Sequence, residues 1–413
     1  MRVAFFVWRF PMASETFVLN LAKAVIDAGH TLDIYSLRTG GEKVLHPLIA
    51  RYRLEEHHIK ANTPENALLR LLAAPGALAR AVSRHGLRAL NVLPGLSFSR
   101  RALTLRPLFE AAAIRPEPYD IVHCQFSSLA PVILRLRDAG ILSGRLVVHV
   151  RGTDITKEVR RSGRNVYRRA FAEAAAVIAN SRHFRDAALA VGCPPEKAVV
   201  IPSSTDLTAF PYRDPTPPQE RTARLIAVGR LVEKKGYPFA IDAIARLVAS
   251  GRDVTLDIIG AGPLEATLRA RTAAAGLAER VRFHGAQPSD AVQRALAASD
   301  IFLAASVTAP NGDQDAATNT VKEAMATGLP VVATRHGGMP EMVIDGETGL
   351  LAREGDAGDL AAQLARLIDA PGIWAPLARA ARAKVETETA STVLDQRLIA
   401  LYEKIATSPV RTP

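Results

Sequence analysis

Residues 225–236 read Leu-Ile-Ala-Val-Gly-Arg-Leu-Val-Glu-Lys-Lys-Gly. The four apolar residues Leu225–Val228, with no polar alternation, predict a strand buried on both faces, as strands of parallel sheets are. Gly229 predicts a tight turn leaving the strand's carboxyl end. Arg230 and Lys235 follow, five residues apart. A guanidinium fork and a point charge at that end of a strand suit a diphosphate. Taken alone, the same residues read equally well as a basic surface loop.

Outward from this stretch the pattern repeats. Short apolar runs alternate with longer helical patterns: Val3–Trp8, Leu32–Leu37, Ile121–Gln125, Leu146–Val150, Ala176–Ala179 and Val199–Pro202 in the first half, and Leu225–Val228, Leu256–Ile259, Val281–His284, Ile301–Ala304, Val331–Thr334 and Leu350–Ala352 in the second. The expectation is an α/β protein of two doubly wound, Rossmann-like parallel-sheet domains facing a cleft, with ligands at the carboxyl ends of strands. The chain's 413 residues also argue for two domains. Residues 206–222 hold Pro211, Pro215, Pro217 and Pro218, with Pro202 just before, and read as the linker. This places the domains at 1–203 and 204–385, with residues 386–413 a helix crossing back to the first.

Three further stretches bear on chemistry. Ile259-Gly260-Ala261-Gly262-Pro263 is a strand followed by a glycine turn; it lacks the third glycine of a dinucleotide fingerprint and reads also as a plain strand-to-helix turn. In residues 313–328, Thr318 or Asn319 is a candidate N-cap and Gly328-Leu329-Pro330 a stop. The helix start between them would offer free N–H groups to an anion. Glu323 in its first turns suits the paired hydroxyls of a ribose, or is a surface residue. Gly337-Gly338-Met339-Pro340-Glu341 is a turn signal.

Composition narrows the partners. The net charge is +11 and aromatic residues are 5%. The excess is one-sided: residues 1–205 hold 29 Lys+Arg against 16 Asp+Glu, and the remainder 23 against 25. Residues 66–109 contain Arg70, Arg80, Arg84, Arg88, Arg100, Arg101 and Arg106 with no acid, beside Leu68, Leu69, Leu71, Leu72, Leu78 and Leu87. Arg80, Arg84 and Arg88 recur every four residues and are expected on one helix face. Such a segment can lie on an anionic membrane, or be a solvated arginine face. No helix-turn-helix, finger or aromatic basic patch supports nucleic-acid binding. Cys124 and Cys193 have neither metal nor disulfide-framework spacing. No apolar run reaches the length of a signal-peptide core or membrane span. The expected location is the cytoplasm, peripherally on the inner face of the membrane.

Together, and in this order, GRLVEKKG, IIGAGPL, VRFHG, KEAMATGLPVVAT and GGMPE with DGETGLL resemble the retaining nucleotide-sugar glycosyltransferases of family 4, which have the GT-B architecture. RFPMASETFVLN, VHCQFSS, HVRGTD and ANS extend the resemblance over most of the chain. The SETF and SVTAPNGDQ stretches resemble the colanic-acid and exopolysaccharide branch in particular. The resemblance implies a UDP- or GDP-sugar donor, a saccharide acceptor linked to polyprenyl diphosphate, and neither cofactor nor metal. By position it implies that Arg230 and Lys235 bind the donor diphosphate, Glu323 the ribose and Asp315 the donor sugar. Asn319 and Thr320 would meet the phosphates, and Gly229 and Gly262 shape the donor loops. Phe283 and His284 would border the base. Ser14, Glu15, Thr16, Arg151, Asp154 and, less strongly, His149 fall on the acceptor side.

Two departures stand out. Asp315 replaces the family's glutamate, with a reach shorter by roughly 1.5 Å, about one C–C bond. Arg151 stands where many members have histidine. Asp313-Gln314-Asp315 has metal-pair spacing, but the resemblance makes it a loop beside the donor sugar. The competing readings are a nucleotide-sugar epimerase of the same architecture and a degenerate paralogue that binds sugar nucleotides without turning them over.

Overall fold

The computed structural model describes residues 1–12, 15–40, 46–93, 104–218 and 222–408. They form two compact units: one of residues 1–179, 187–201 and those from 395 on, the other of residues 180–186 and 202–394.

In the first unit, β1 (Arg2–Phe10), β2 (Thr31–Thr39), β3 (His58–Lys60), β4 (Ile121–Cys124), β5 (Arg145–Val150), β6 (Ala176–Ala179) and β7 (Ala198–Val200) pair in parallel in the order β3-β2-β1-β4-β5-β6-β7. In the second, β8 (Ala223–Val228), β9 (Val254–Ile259), β10 (Val281–Phe283), β11 (Ile301–Ala304), β12 (Val331–Thr334) and β13 (Leu350–Ala352) pair in parallel in the order β10-β9-β8-β11-β12-β13. All twelve expected strands are present. The one missed is β3, whose three residues carry no apolar run and whose only partner is β2.

Both faces of β8 are buried, as its unbroken apolar run demands. Ala223, Leu225 and Ala227 join one core cluster with Tyr237, Ile241, Ile244 and Leu247 of the helix Tyr237–Ala249. Ile226 joins the opposite cluster with Val321 and Met325 of the helix Asn319–Thr327. Each such leucine or isoleucine contributes about 2 kcal/mol by leaving water. Two-sided burial also fixes register, because a one-residue slip would exchange the faces.

The order of each sheet reverses beside its first strand, between β1 and β4 and between β8 and β11. At such a switch point the two following loops diverge and leave a crevice at the carboxyl ends. In the second unit those loops are residues 229–236 and 305–318.

The arginine-rich segment differs from expectation. The helix Ala67–His85 gives way to a tighter turn at Gly86–Val92, so Arg88 does not extend the face of Arg80 and Arg84. Arg70 is buried and donates to the carbonyls of Pro64, Glu65 and Thr104. Arg84 donates to the carbonyls of Ala112 and Ala113. Arg80, Arg84 and Arg88 are nevertheless exposed, and so are Leu68, Leu69, Leu71 and Leu72, each more than half, and Leu87. Arg100 and Arg101 lie outside the described residues. No helix among the described residues is long and apolar enough to cross a membrane.

Gly236 joins the first crevice loop to its helix. It sits at φ +63°, and a Cβ there would lie 1.8 Å from the carbonyl oxygen of Ala305. Neither the backbone angle nor the space admits a side chain. Gly236→Ala is expected to lower stability by about 2 kcal/mol or more, read as a fall in denaturation midpoint, whereas Gly276→Ala, strained in φ (+68°) but facing open space, should cost less.

Candidate active site

The crevice beside β8 and β11 is lined by Val228, Lys235, Tyr237, Ser306, Thr318 and Thr320. Its floor is closed. The Tyr237 hydroxyl donates to the carbonyl of Gly229 at 2.9 Å, and the Thr320 hydroxyl to that of Val228 at 3.2 Å. The glycine turn after β9 braces the first loop from behind: Leu231 N–H donates to the Ala261 carbonyl, and Leu264 N–H to that of Leu231. Gly262 fits there because a Cβ would lie 2.5 Å from the Leu231 carbonyl oxygen. Its part is therefore backbone packing behind the loop.

Asp315 joins the two loops through two lysines, and His336 holds its amide. The Lys235 ammonium is 2.8 Å from one Asp315 carboxylate oxygen, and that of Lys234 is 3.1 Å from the other. Lys234 also reaches Asp313 at 3.1 Å and the Gln314 carbonyl at 3.3 Å. Burial alone would raise the Asp315 pKa, but the two lysines outweigh it and hold the carboxylate well below its usual range. The Asp315 N–H donates to His336 Nε2 at 3.0 Å. His336 therefore carries its proton on Nδ1, which faces Glu354 at 3.0 Å. Arg230 contrasts with the lysines: it is exposed and has no ion pair among the described residues.

The helix Asn319–Thr327 starts at the crevice. Thr318 is its N-cap, with extended backbone and no side-chain cap bond, and Gly328 ends it in the left-handed region. Asn319 and Thr320 occupy its first turn, whose N–H groups have no intrahelical acceptor. Glu323 lies on the next turn, half-buried. Loss of hydration pushes its carboxyl up to about 7, against the opposing charge of Lys322. Lys322 itself is buried and donates to the Ser203 carbonyl. At the end of β10, Phe283 lies under the Arg269 guanidinium at 4.8 Å, and His284 Nε2 is 2.6 Å from Asp257.

In the first unit, Arg151, His149 and Asp154 are brought together at the end of β5. The Asp154 carboxylate accepts from Arg151 N–H, Gly152 N–H, and the N–H and hydroxyl of Ser127. Arg151 donates to both the backbone and side-chain oxygens of Gln125 and to His149 Nδ1, and lies 4.0 Å over the Phe17 ring. His149 Nδ1 is thus an acceptor, and His123 Nε2, at 3.3 Å, carries the proton between them. His123 Nδ1 then accepts from the Tyr402 hydroxyl at 2.5 Å and from Gln125. Burial, reinforced by Arg151, pushes both imidazoles well below their ordinary range, so they are neutral. Burial likewise lowers Arg151 to about 9. Glu15 and Thr16 are half-buried at the start of the helix Thr16–Asp27, and Ser14 lies outside the described residues.

Sequence reasoning missed Lys234, His336 and Glu354 in the second unit, and His123, Gln125 and Tyr402 in the first. The Lys-Lys doublet and the Asp-x-Asp spacing were visible signals for the first of these. For the others the deciding partners are mostly distant: His336 and Glu354 are 18 residues apart, and His123 and Tyr402 are 279 apart. Among the described residues, no group of three or more His, Cys, Asp or Glu is arranged to hold a metal ion.

Comparison with known proteins bears on this arrangement. The family profile for glycosyl transferases group 1 matches residues 222–370, and that for glycosyltransferase family 4 matches residues 14–209. The amylovoran biosynthesis glycosyltransferase AmsK of Erwinia amylovora is 32% identical over 98% of this chain and 100% of its own. The putative colanic acid biosynthesis glycosyltransferase WcaL of Salmonella typhimurium is 32% identical with the same coverage. The crystal structure of Anabaena Alr3699/HepE in complex with UDP and glucose superposes with a TM-score of 0.69 at 20% identity, over 98% of this chain and 100% of that one. It shares the two parallel-sheet domains of the GT-B fold.

Glu323 makes a checkable case for this site's electrostatics. Its folded pKa of about 7 exceeds the unfolded value of 4.5, so the folded state holds the extra proton in between. The stability it contributes is present below the unfolded value and lost as pH rises to about 7. Glu323→Gln should remove that part of the slope of unfolding free energy against pH, measured by denaturation from pH 4.5 to 8.

Proposed function

Because the chain belongs to the family-4 glycosyltransferases, we propose that it moves a sugar, with retention, from a nucleoside diphosphate sugar to a saccharide acceptor of exopolysaccharide biosynthesis. One observation carries the donor half of this reading. At the β8/β11 switch point Arg230, exposed and without an ion pair among the described residues, Lys235 on the crevice wall, and the start of the helix Asn319–Thr327 occupy adjoining loops. That is the chemistry a diphosphate requires. Glu323, on the same helix, takes the ribose hydroxyls, and Asp315 faces the sugar. The relatives reported above give the epimerase reading no support.

In this reading the anomeric carbon's bond to the diphosphate oxygen breaks while the acceptor oxygen bonds to the same face. The acceptor's proton passes to the departing diphosphate. Negative charge then builds on the leaving group, and Arg230, Lys235 and the helix amides stabilise it without a metal. On the acceptor side, Arg151 offers a positive charge held by Gln125, His149 and the Phe17 ring, with Asp154 fixing the loop beneath it. A cation there suits the phosphate of a polyprenyl-diphosphate-linked acceptor.

The same reading places the enzyme on the cytoplasmic face of an anionic membrane. The observation favouring contact is the exposed leucine ridge of the helix Ala67–His85, since apolar side chains on one helix can enter a headgroup layer. Replacing Leu68, Leu69 and Leu72 together with Ser should abolish flotation with anionic liposomes, while Arg84→Gln should leave it largely intact. Unchanged flotation in the leucine variant would remove this part of the reading.

Two measurements test the donor half. Of UDP, GDP and ADP, at least one should raise the melting temperature by mass action. Lys235→Ala should lower kcat on the order of 10²-fold or more through loss of leaving-group stabilisation. A variant with near-normal kcat would refute the role given to Lys235.

A further inference from the structure

Lys234 is not positioned as a ligand-binding residue. Its side chain is buried at 7% exposure and turned away from solvent, toward the loop after β11. Its backbone carbonyl accepts from Val307 N–H at 2.8 Å, so main chain and side chain both fasten that loop. The two Asp315 oxygens divide the lysines, one to Lys234 and the other to Lys235. With Asp313, the cluster holds two positive and two negative charges.

This balance creates a difficulty for ligand binding. Lys235 can approach a diphosphate fully only by leaving Asp315, and a buried carboxylate deprived of its partner is strongly disfavoured. An anionic ligand would also face two aspartates. Lys234 resolves both, because it stays on Asp315 and Asp313 while Lys235 moves.

Resting on the reading of residues 229–235 as the diphosphate loop, we propose that Lys234 is a positioning residue whose charge releases Lys235 from Asp315 to the diphosphate. It acts without touching the ligand. Asp315, still held by Lys234, then turns its freed oxygen toward the donor sugar. The shorter acid at this position is thereby placed by lysine reach.

The test is calorimetric titration with whichever of UDP, GDP and ADP raises the parent's melting temperature most. Lys234→Gln keeps hydrogen-bonding capacity but removes the charge, and should weaken binding roughly tenfold, as one unit charge at short range in a partly buried site would. Lys234→Arg should retain most of the affinity. The double variant Lys234→Gln, Asp315→Asn removes the carboxylate that would otherwise keep Lys235 and should recover affinity to within about threefold of the parent; a purely structural role for Lys234 would not be rescued by removing a second partner. Parent-like affinity in Lys234→Gln, or a double variant no better than the single, overturns the proposal. If Lys234→Gln does not fold, the double variant decides alone: folded protein with lost affinity overturns it. If no nucleotide binds the parent, the diphosphate reading itself fails, and that is seen before any variant is made.

Discussion

The carboxylate of Asp315 is the interaction on which the second unit's site depends. Two loops leave neighbouring strands at a switch point, and nothing in a parallel sheet obliges their far ends to meet. Asp315 makes them meet by taking a lysine of the first loop on each oxygen while its own amide is held by His336. Glu354, 39 residues further along the chain, fixes the tautomer that makes His336 an acceptor. A buried anion set among the lysines of such a loop is costly unless the cations outnumber or match it. Here they match it, while Arg230 on the same loop has no ion pair among the described residues.

That arrangement changes the meaning of the aspartate. Judged by length, an acid one carbon shorter than the family's glutamate should fall short of a sugar. The structure shows both of its oxygens held by lysines of the first loop. The lysine stems extend to the carboxylate, and Gly236, which tolerates no side chain, sets the turn from which they reach. Asp315 and the Lys-Lys doublet thus form one ion-paired cluster across two loops.

What could be read from the sequence follows from range. Two-sided strands announce themselves by unbroken apolar runs, so β8, β11, β12 and β13 are evident within three to six residues each. The start and stop of the helix Asn319–Thr327 are equally local, in Thr318 and Gly328. The strand β3 was not, because His-Ile-Lys gains its structure from β2 alone. Side-chain destinations were the least legible. The periodicity of Arg80, Arg84 and Arg88 is real, but whether a guanidinium faces solvent or a backbone carbonyl depends on which helix end happens to pack beneath it.

The basic excess of the first half acquires a structural account on those terms. A chain with many more cations than acids cannot pair them all as salt bridges, and several arginines here take carbonyl oxygens instead. Arg84 covers the last carbonyls of the helix Arg106–Ala113, and Arg164 that of the helix Arg182–Ala190. Both are places where the helix dipole is negative and acceptors have lost their intrahelical donors. Arg70 does the same for an irregular turn. An arginine so committed has its field partly cancelled by oriented dipoles, so formal charge overstates what a distant anion experiences. The exposed surface of the helix Ala67–His85 therefore combines Arg80 and Arg84, the latter partly committed to carbonyls, with Leu68, Leu69, Leu71 and Leu72.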